Sequence, residues 1–200
     1  MGQKIAETST YRRLWASDEA ALRDHLLRLP KEARHNRFAM GVSDEFISAY
    51  ANRSFSFENV LIGYFDGDHL RAIGELRPVN AARLMGIGGD MEAAFSVEPQ
   101  WQGRGIGSEL MRLVIRAAQT RSCRTLYLSF LTGNHPMRKL ALKFDASIEI
   151  DRGEVMGEIA PGPATAAAYW QESLQEAASF AIAALNVQAR RLDQSGGRRS

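Results

Sequence analysis

The residues best suited to chemistry lie between Met91 and Leu113, in the run MEAAFSVEPQWQGRGIGSELMRL. Gly103, Gly105 and Gly107 fall at alternate positions, interleaved with Gln102, Arg104, Ile106 and Ser108. Glycines let the backbone adopt conformations that a side chain forbids and approach a ligand closely. Ile106, Leu110, Leu113, Val114 and Ala117 follow at helical spacing, so a helix begins within or just after the glycines. A helix's first turn leaves N–H groups without partners and carries a partial positive charge. The combination predicts a site for phosphate or pyrophosphate, to which Arg104 adds a planar donor fork. It is not a P-loop, because no Gly-Lys-Ser/Thr follows, and its glycines lack the G-x-G-x-x-G spacing of the dinucleotide fingerprint. Three carboxylates are near in sequence: Glu92, Glu98 and Glu109.

Several elements must hold this stretch in place. A strand over 92–98 puts Phe95 and Val97 on one side, and Pro99 ends it. Upstream, Tyr11 to Trp15 reads as a first strand. Ser17 looks like the N-cap of a helix with Ala21, Leu22, His25, Leu26 and Leu29 on its apolar face, ended by Pro30. Ser43 starts a second helix. Arg34 and Arg37, between them, read either as a solvated helix face or as contacts to an anionic group. Strands over 59–65 and 70–76 form a hairpin around Asp66-Gly67-Asp68. Residues 86–90 read as a glycine turn. Downstream come a strand over 125–131, a helix capped by Asn134 with Pro136 in its first turn, and strands over 147–151 and 154–159. After Pro161-Gly162-Pro163, a stripe of Trp170, Leu174, Ala178, Ala181, Ile182, Leu185 and Ala189 predicts a helix that buries this face on the domain or a partner.

The pattern Gln102-x-x-Gly105-x-Gly107, after a strand and before an amphipathic helix, resembles the acetyl-CoA pyrophosphate loop of the GNAT superfamily of N-acetyltransferases. Asn134, Met137 and Leu140 are similar to a second motif of that superfamily, although Phe144-Asp145-Ala146 replaces its usual Gly-Phe-like ending. The likeness spans about residues 10–160, with the specific motifs in 92–144, and the helix after Asn134 most resembles bacterial protein-lysine acetyltransferases. It implies an α/β (α+β) fold. A mixed, mostly antiparallel sheet of six to seven strands would be flanked by about four helices, two of them between the first and second strands. A GNAT domain would occupy 1–160, a docked amphipathic helix 161–192, and a disordered tail 193–200.

The same resemblance implies acetyl-CoA as co-substrate and direct acetyl transfer to a primary amine of a small molecule or protein lysine. Gln102, Gly103, Arg104, Gly105, Ile106, Gly107 and Ser108 would hold the pyrophosphate, with Asn134 nearby. Backbone at Phe95 and Val97 would meet the pantetheine and thioester. Glu92 matches the strand glutamate that serves as base in the protein-lysine branch. Its plain alternative is a strand-end carboxylate in solvent. Glu98 sits where negative charge would oppose phosphate, and Glu109 reads as a solvated first-turn acid. Many relatives carry a tyrosine as general acid where this chain has Ala141, and Tyr127 is the available substitute. The missing tyrosine leaves open a non-catalytic acyl-CoA sensor, and the C-terminal helix leaves open a scaffold or homodimer.

Composition narrows the rest. The chain has 200 residues, 45% hydrophobic, with a formal net charge of +2. That suits one globular domain and argues against a nucleic-acid binder. A single cysteine, Cys123, excludes an intrachain disulfide and fits a cytoplasmic setting. His25, His35, His69 and His135 lack metal-ligand spacing. No run approaches the roughly 20 apolar residues of a membrane span, and the N-terminus shows neither a signal-peptide core nor a basis for lipidation.

Overall fold

The computed structural model describes residues 9–79 and 88–196, with side chains to 184. The N-terminal readings, Gly86 and Ile87 of the glycine turn, and residues 197–200 of the tail lie outside the described residues. So do the side chains of Leu185 and Ala189.

Seven strands form one sheet in the order β1-β2-β3-β4-β5-β7-β6. They are β1 (Ser9–Arg13), β2 (Val60–Asp66), β3 (His69–Pro78), β4 (Gly89–Val97), β5 (Cys123–Leu131), β6 (Ser147–Asp151) and β7 (Glu154–Ile159). Among the described residues, only β4 and β5 run parallel. The predicted mixed, mostly antiparallel sheet is therefore present. Gly67 turns the β2–β3 hairpin at φ 55, the left-handed conformation that Asp-Gly favours.

Three helices, not two, separate β1 from β2: α1 (Glu19–Arg28), α2 (Lys31–Phe38) and α3 (Asp44–Ser54). Pro30 ends α1 and also begins α2, because its carbonyl accepts the Arg34 N–H at 2.9 Å. Ser17 is not a cap. Asp18 takes the Trp15 N–H instead and forms a buried pair with Arg12. Ser43 caps α3 by accepting from the Phe46 N–H. Further on, α4 (Ile106–Thr120) and α5 (His135–Lys143) cover one sheet face, and α6 (Ala166–Gly196) closes the chain.

Alternation along the strands splits the core. One cluster, beneath α4 and α5, takes Met91, Ala93, Leu126, Leu128 and Val155 with α4's Leu110 and Val114. The other, beneath α1 and α3, takes Leu61, Phe65, Leu70 and Ile73 with Leu22, Leu26 and Ile47.

The helix α6 extends past the expected boundary at 192 and meets the domain with a different face from the predicted stripe. Ala168, Ser179 and Ala183 are buried, whereas Trp170, Leu174 and Ile182 are exposed. Polar contacts explain the choice. Glu172 pairs with Arg121, Glu176 pairs with Arg13 and Arg121, and Ser179 Oγ accepts the Arg13 N–H of the edge strand at 3.1 Å.

Two buried carboxylates flank β4. Glu75 of β3 accepts from Arg37 Nη2, Arg77 Nη2 and the Tyr50 hydroxyl at 2.5, 2.5 and 2.8 Å. Glu98, just past β4, accepts from Arg28 Nε at 2.9 Å and Arg71 Nη1 at 3.2 Å. Its partner His25 is wholly buried, with Nδ1 3.2 Å from Glu98 and Nε2 2.9 Å from Ser96 Oγ. A carboxylate can only accept, so Nδ1 carries the proton and Nε2 accepts from Ser96. Burial chiefly lowers the His25 pKa, against the upward pull of Glu98. Burial raises that of Glu98, but bonds from His25 and Arg28 outweigh it and the net shift is down.

Both shifts carry the same sign for acid stability. The unfolded chain binds a proton at His25 near pH 6.5 that the folded chain resists, so stability is lost as pH falls below about 6.5. Glu98 adds a loss below its ordinary range, near pH 4.3. His25→Gln should flatten the slope of unfolding free energy between about pH 6.5 and 5, by up to about 1.4 kcal/mol per pH unit. Denaturant titrations across that range test this, and parallel slopes for variant and wild type would refute it.

Candidate functional site

The glycine loop folds as its residues require. Gly103 and Gly105 adopt φ 74 and 81, in the left-handed region, and a Cβ at either would meet nothing within 4 Å. The space beside them is thus open. Gly105 is the N-cap of α4, and its carbonyl accepts from Glu109. The N–H groups of Ile106, Gly107 and Ser108 have no backbone partner among the described residues. Ile106 anchors the turn in the core at 4% exposure. Arg104 is exposed, its guanidinium 4.7 Å from the Trp101 ring centroid. Lys143 of α5 donates to Ser108 Oγ at 2.9 Å, which adds a cation beside the helix start.

The strand before the loop has a free edge. β4 and β5 pair through Gly89, Met91 and Glu92, opposite Cys123, Leu126 and Tyr127, and no pairing continues beyond Glu92 among the described residues. β4 stays paired with β3 up to Val97. Glu98 N–H donates to Arg71 O and Asp90 O accepts from Val79 N–H, so even-numbered positions face β3. By the antiparallel ladder, Ala93, Phe95 and Val97 direct their N–H and C=O groups into the gap towards β5. Gln102 Nε2 donates to Val97 O at 3.0 Å, which ties the loop to the strand. The Phe95 and Val97 side chains pack into the α4 core.

Glu92 is the last residue before the strands part. Its side chain is exposed on the sheet face opposite α4, between the cross-strand positions of Arg77 and Tyr127. It is not the buried carboxylate that a burial-tuned base would need. The same face of β5, β7 and β6 carries Tyr127, Ser129, Glu154, Met156, Glu158, Glu149 and Asp151 in register. Glu92, Glu149, Glu154 and Glu158 are exposed and form no ion pair among the described residues. An acidic face therefore continues outward from Glu92.

The other expectations divide. Asn134 Oδ1 caps α5 by accepting the Met137 N–H at 3.2 Å. Arg34 donates to Leu27 O, Leu29 O and Asp44, and Arg37 is buried against Glu75, so neither is a solvated face nor free for an anion. Glu98 does not oppose an anion, because Arg28 and Arg71 more than balance its charge. Ala141 is fully buried in the core, and Tyr127 is half-buried. Sequence reasoning missed Ser96, His25 and the acidic face. The signal was a histidine on an apolar helix face and the alternating acids of 147–158. No group of three or more His, Cys, Asp or Glu is arranged to hold a metal among the described residues. No helix among them is long and apolar enough to cross a membrane.

Comparison with known proteins agrees with this geometry. The GNAT domain of S. lividans PAT superposes with a TM-score of 0.66 at 19% identity, over 80% of this chain and 99% of that one. The yncA protein of Salmonella typhimurium, solved with its cofactor acetyl-CoA, gives 0.60 at 13% identity over 79% and 96%. Ribosomal-protein-S5-alanine acetyltransferase from Vibrio fischeri gives 0.60 at 11% over 76% and 93%. These similarities show the fold. A search of curated proteins found no match. The model of the Acetyltransferase (GNAT) family matches residues 19–145, well over half the chain and inclusive of the loop, the free β4 edge and α5. The chain therefore belongs to the GNAT acetyltransferase family, which uses acetyl-CoA.

Proposed function

We propose that this protein transfers the acetyl group of acetyl-CoA directly to a primary amine, with Glu92 as the general base. The observation that carries the reading is the free β4 edge, which runs from the glycine turn back to an exposed carboxylate. The residues fit acetyl-CoA. Gly103, Arg104, Gly105, Ile106, Gly107 and Ser108 would hold the pyrophosphate, with Gln102 fixing the turn. Backbone at Phe95 and Val97 would bind the pantetheine arm and orient the thioester, and Asn134 would support the α5 wall. Acetyl-CoA supplies an activated acetyl thioester.

The chain's own residues handle the proton. An alkylammonium has a pKa of about 10.4, so the attacking amine must lose a proton at neutral pH. Glu92, directly or through a water, would accept it. The N–H groups in the gap would stabilise the oxyanion. Cys123 is buried and has a raised pKa, chiefly from burial, which suits direct transfer rather than an acyl-cysteine route.

The acidic face supports a cationic acceptor with charge along its length, such as a lysine in a basic peptide or a polyamine. Charge on this scale raises the local concentration of a cation and steers it to Glu92. A second reading, a non-catalytic acyl-CoA sensor, draws on Ala141, which supplies no hydroxyl for the departing thiolate. Thiol release from acetyl-CoA with a panel of amines separates the two, since a sensor releases none.

Three outcomes test the proposal. Gly105→Asp sets a carboxylate beside the start of α4 and forces an aspartate to φ 81, so calorimetry should show acetyl-CoA binding lost while circular dichroism retains the fold; unchanged affinity would remove the loop from the site. Glu92→Gln should lower kcat by about 100-fold near neutral pH, with acetyl-CoA affinity intact and the deficit shrinking towards the amine pKa. A wild-type pH profile would move the base elsewhere. The pair Glu154→Lys and Glu158→Lys should raise KM roughly tenfold for a polycationic acceptor and spare a small neutral-bodied amine, with the difference fading at high salt. Equal effects on both acceptors would sever the acidic face from recognition.

A further inference from the structure

The face of α6 turned away from the domain carries Trp170, Ser173, Leu174, Ala177, Ala178 and Ala181, all exposed. Between 166 and 184 the helix has only two charged residues, Glu172 and Glu176, and both turn inward to Arg121 and Arg13. We propose that this face joins two copies of the chain, with their α6 helices antiparallel about a two-fold axis.

Charge, size and area select a second copy. A charged partner or an anionic membrane would find no complementary group here and would bury its own charges unpaired. A second α6 presents an equally neutral face. Size decides direction. The large residues, Trp170 and Leu174, lie towards the start of the face, and the small ones, Ala177, Ala178 and Ala181, towards its end. An antiparallel pair sets Trp170 opposite Ala181, Ser173 opposite Ala178 and Leu174 opposite Ala177. All three pairings share one midpoint, as a two-fold axis requires. Large side chains then enter the spaces above alanines, and the helices can approach closely.

The exposed area is sufficient. Trp170 is 72% exposed, Leu174 68% and the flanking Phe180 60%. With about 150–250 Å² for a large ring, the face and its flanks leave roughly 500 Å² of apolar surface per copy. That is at the upper end of what a monomer leaves uncovered. Two copies would bury about 1,000 Å², the lower bound for a specific interface.

Sedimentation equilibrium of the full chain tests this. The mass should rise from 22.2 kDa to twice that value as concentration increases through about 1 to 100 µM. Leu174→Glu should hold the chain at the single mass, with its circular dichroism and acetyl-CoA affinity unchanged. Trp170→Cys and Ala181→Cys chains should form a disulfide when mixed and none separately, because the two positions lie about 16 Å apart along one helix. A single-chain mass throughout the range would overturn the proposal. So would Trp170→Cys chains that cross-link to themselves as readily as to Ala181→Cys chains.

Discussion

A strand edge left open inside a sheet is the constraint on which the rest of this structure depends. Backbone N–H and C=O groups in a protein interior need partners. β4 meets that need on the β3 side along its length but on the β5 side only as far as Glu92. The groups beyond, apart from the Val97 carbonyl that Gln102 bonds, are ready for the amides of a ligand or for water. Such an edge is useful only if it stays in place. Glu75 and Glu98 secure it from behind, each held by two arginines and together reaching α1, α2 and α3. Buried pairs of this kind are weak sources of net stability, but the loss of one partner costs about 3–5 kcal/mol. Their value here is positional.

The two sides of the sheet divide the work. The α4 side supplies the helix start, with unpartnered N–H groups and Lys143 nearby, and so favours anions. The other side, beyond the cover of α1 to α3, shows carboxylates from Glu92 to Glu149 without ion pairs among the described residues. A near-neutral chain thus holds opposite charge on opposite faces of one strand layer. In the proposed reaction, the nucleotide and the ammonium would approach a common gap without competing for the same field.

Much of this was legible in the sequence because it rests on local rules. Gly103 and Gly105, ahead of an amphipathic helix, take φ > 0 and leave the helix's first N–H groups exposed, as glycines in such a turn can. Asp-Gly fixed the hairpin, and Asn134 capped its helix as read. Long-range pairing was not legible. Nothing near Arg37 in sequence indicates Glu75, and nothing near His25 indicates Ser96 or Glu98. The stripe on α6 misled because periodicity reports an apolar face without naming its partner. Half-buried arginines on β1 and at the C-terminal end of α4 drew the polar face inward. Pro30 misled in another way, since a residue that ends one helix can start the next.

The alternation of β4 has an evolutionary consequence. Met91, Ala93, Phe95 and Val97 point to the α4 core, and Glu92, Ala94 and Ser96 point the other way. Point substitutions alter one side at a time, so a lineage can change one face of the strand while it keeps the other. A single inserted or deleted residue would exchange the two sets, driving a carboxylate into the core and methionine and phenylalanine into solvent. Descendants of this chain should therefore tolerate single substitutions in β4 that keep each residue's side of the sheet, and remain fixed in its length, with insertions confined to the loops at either end.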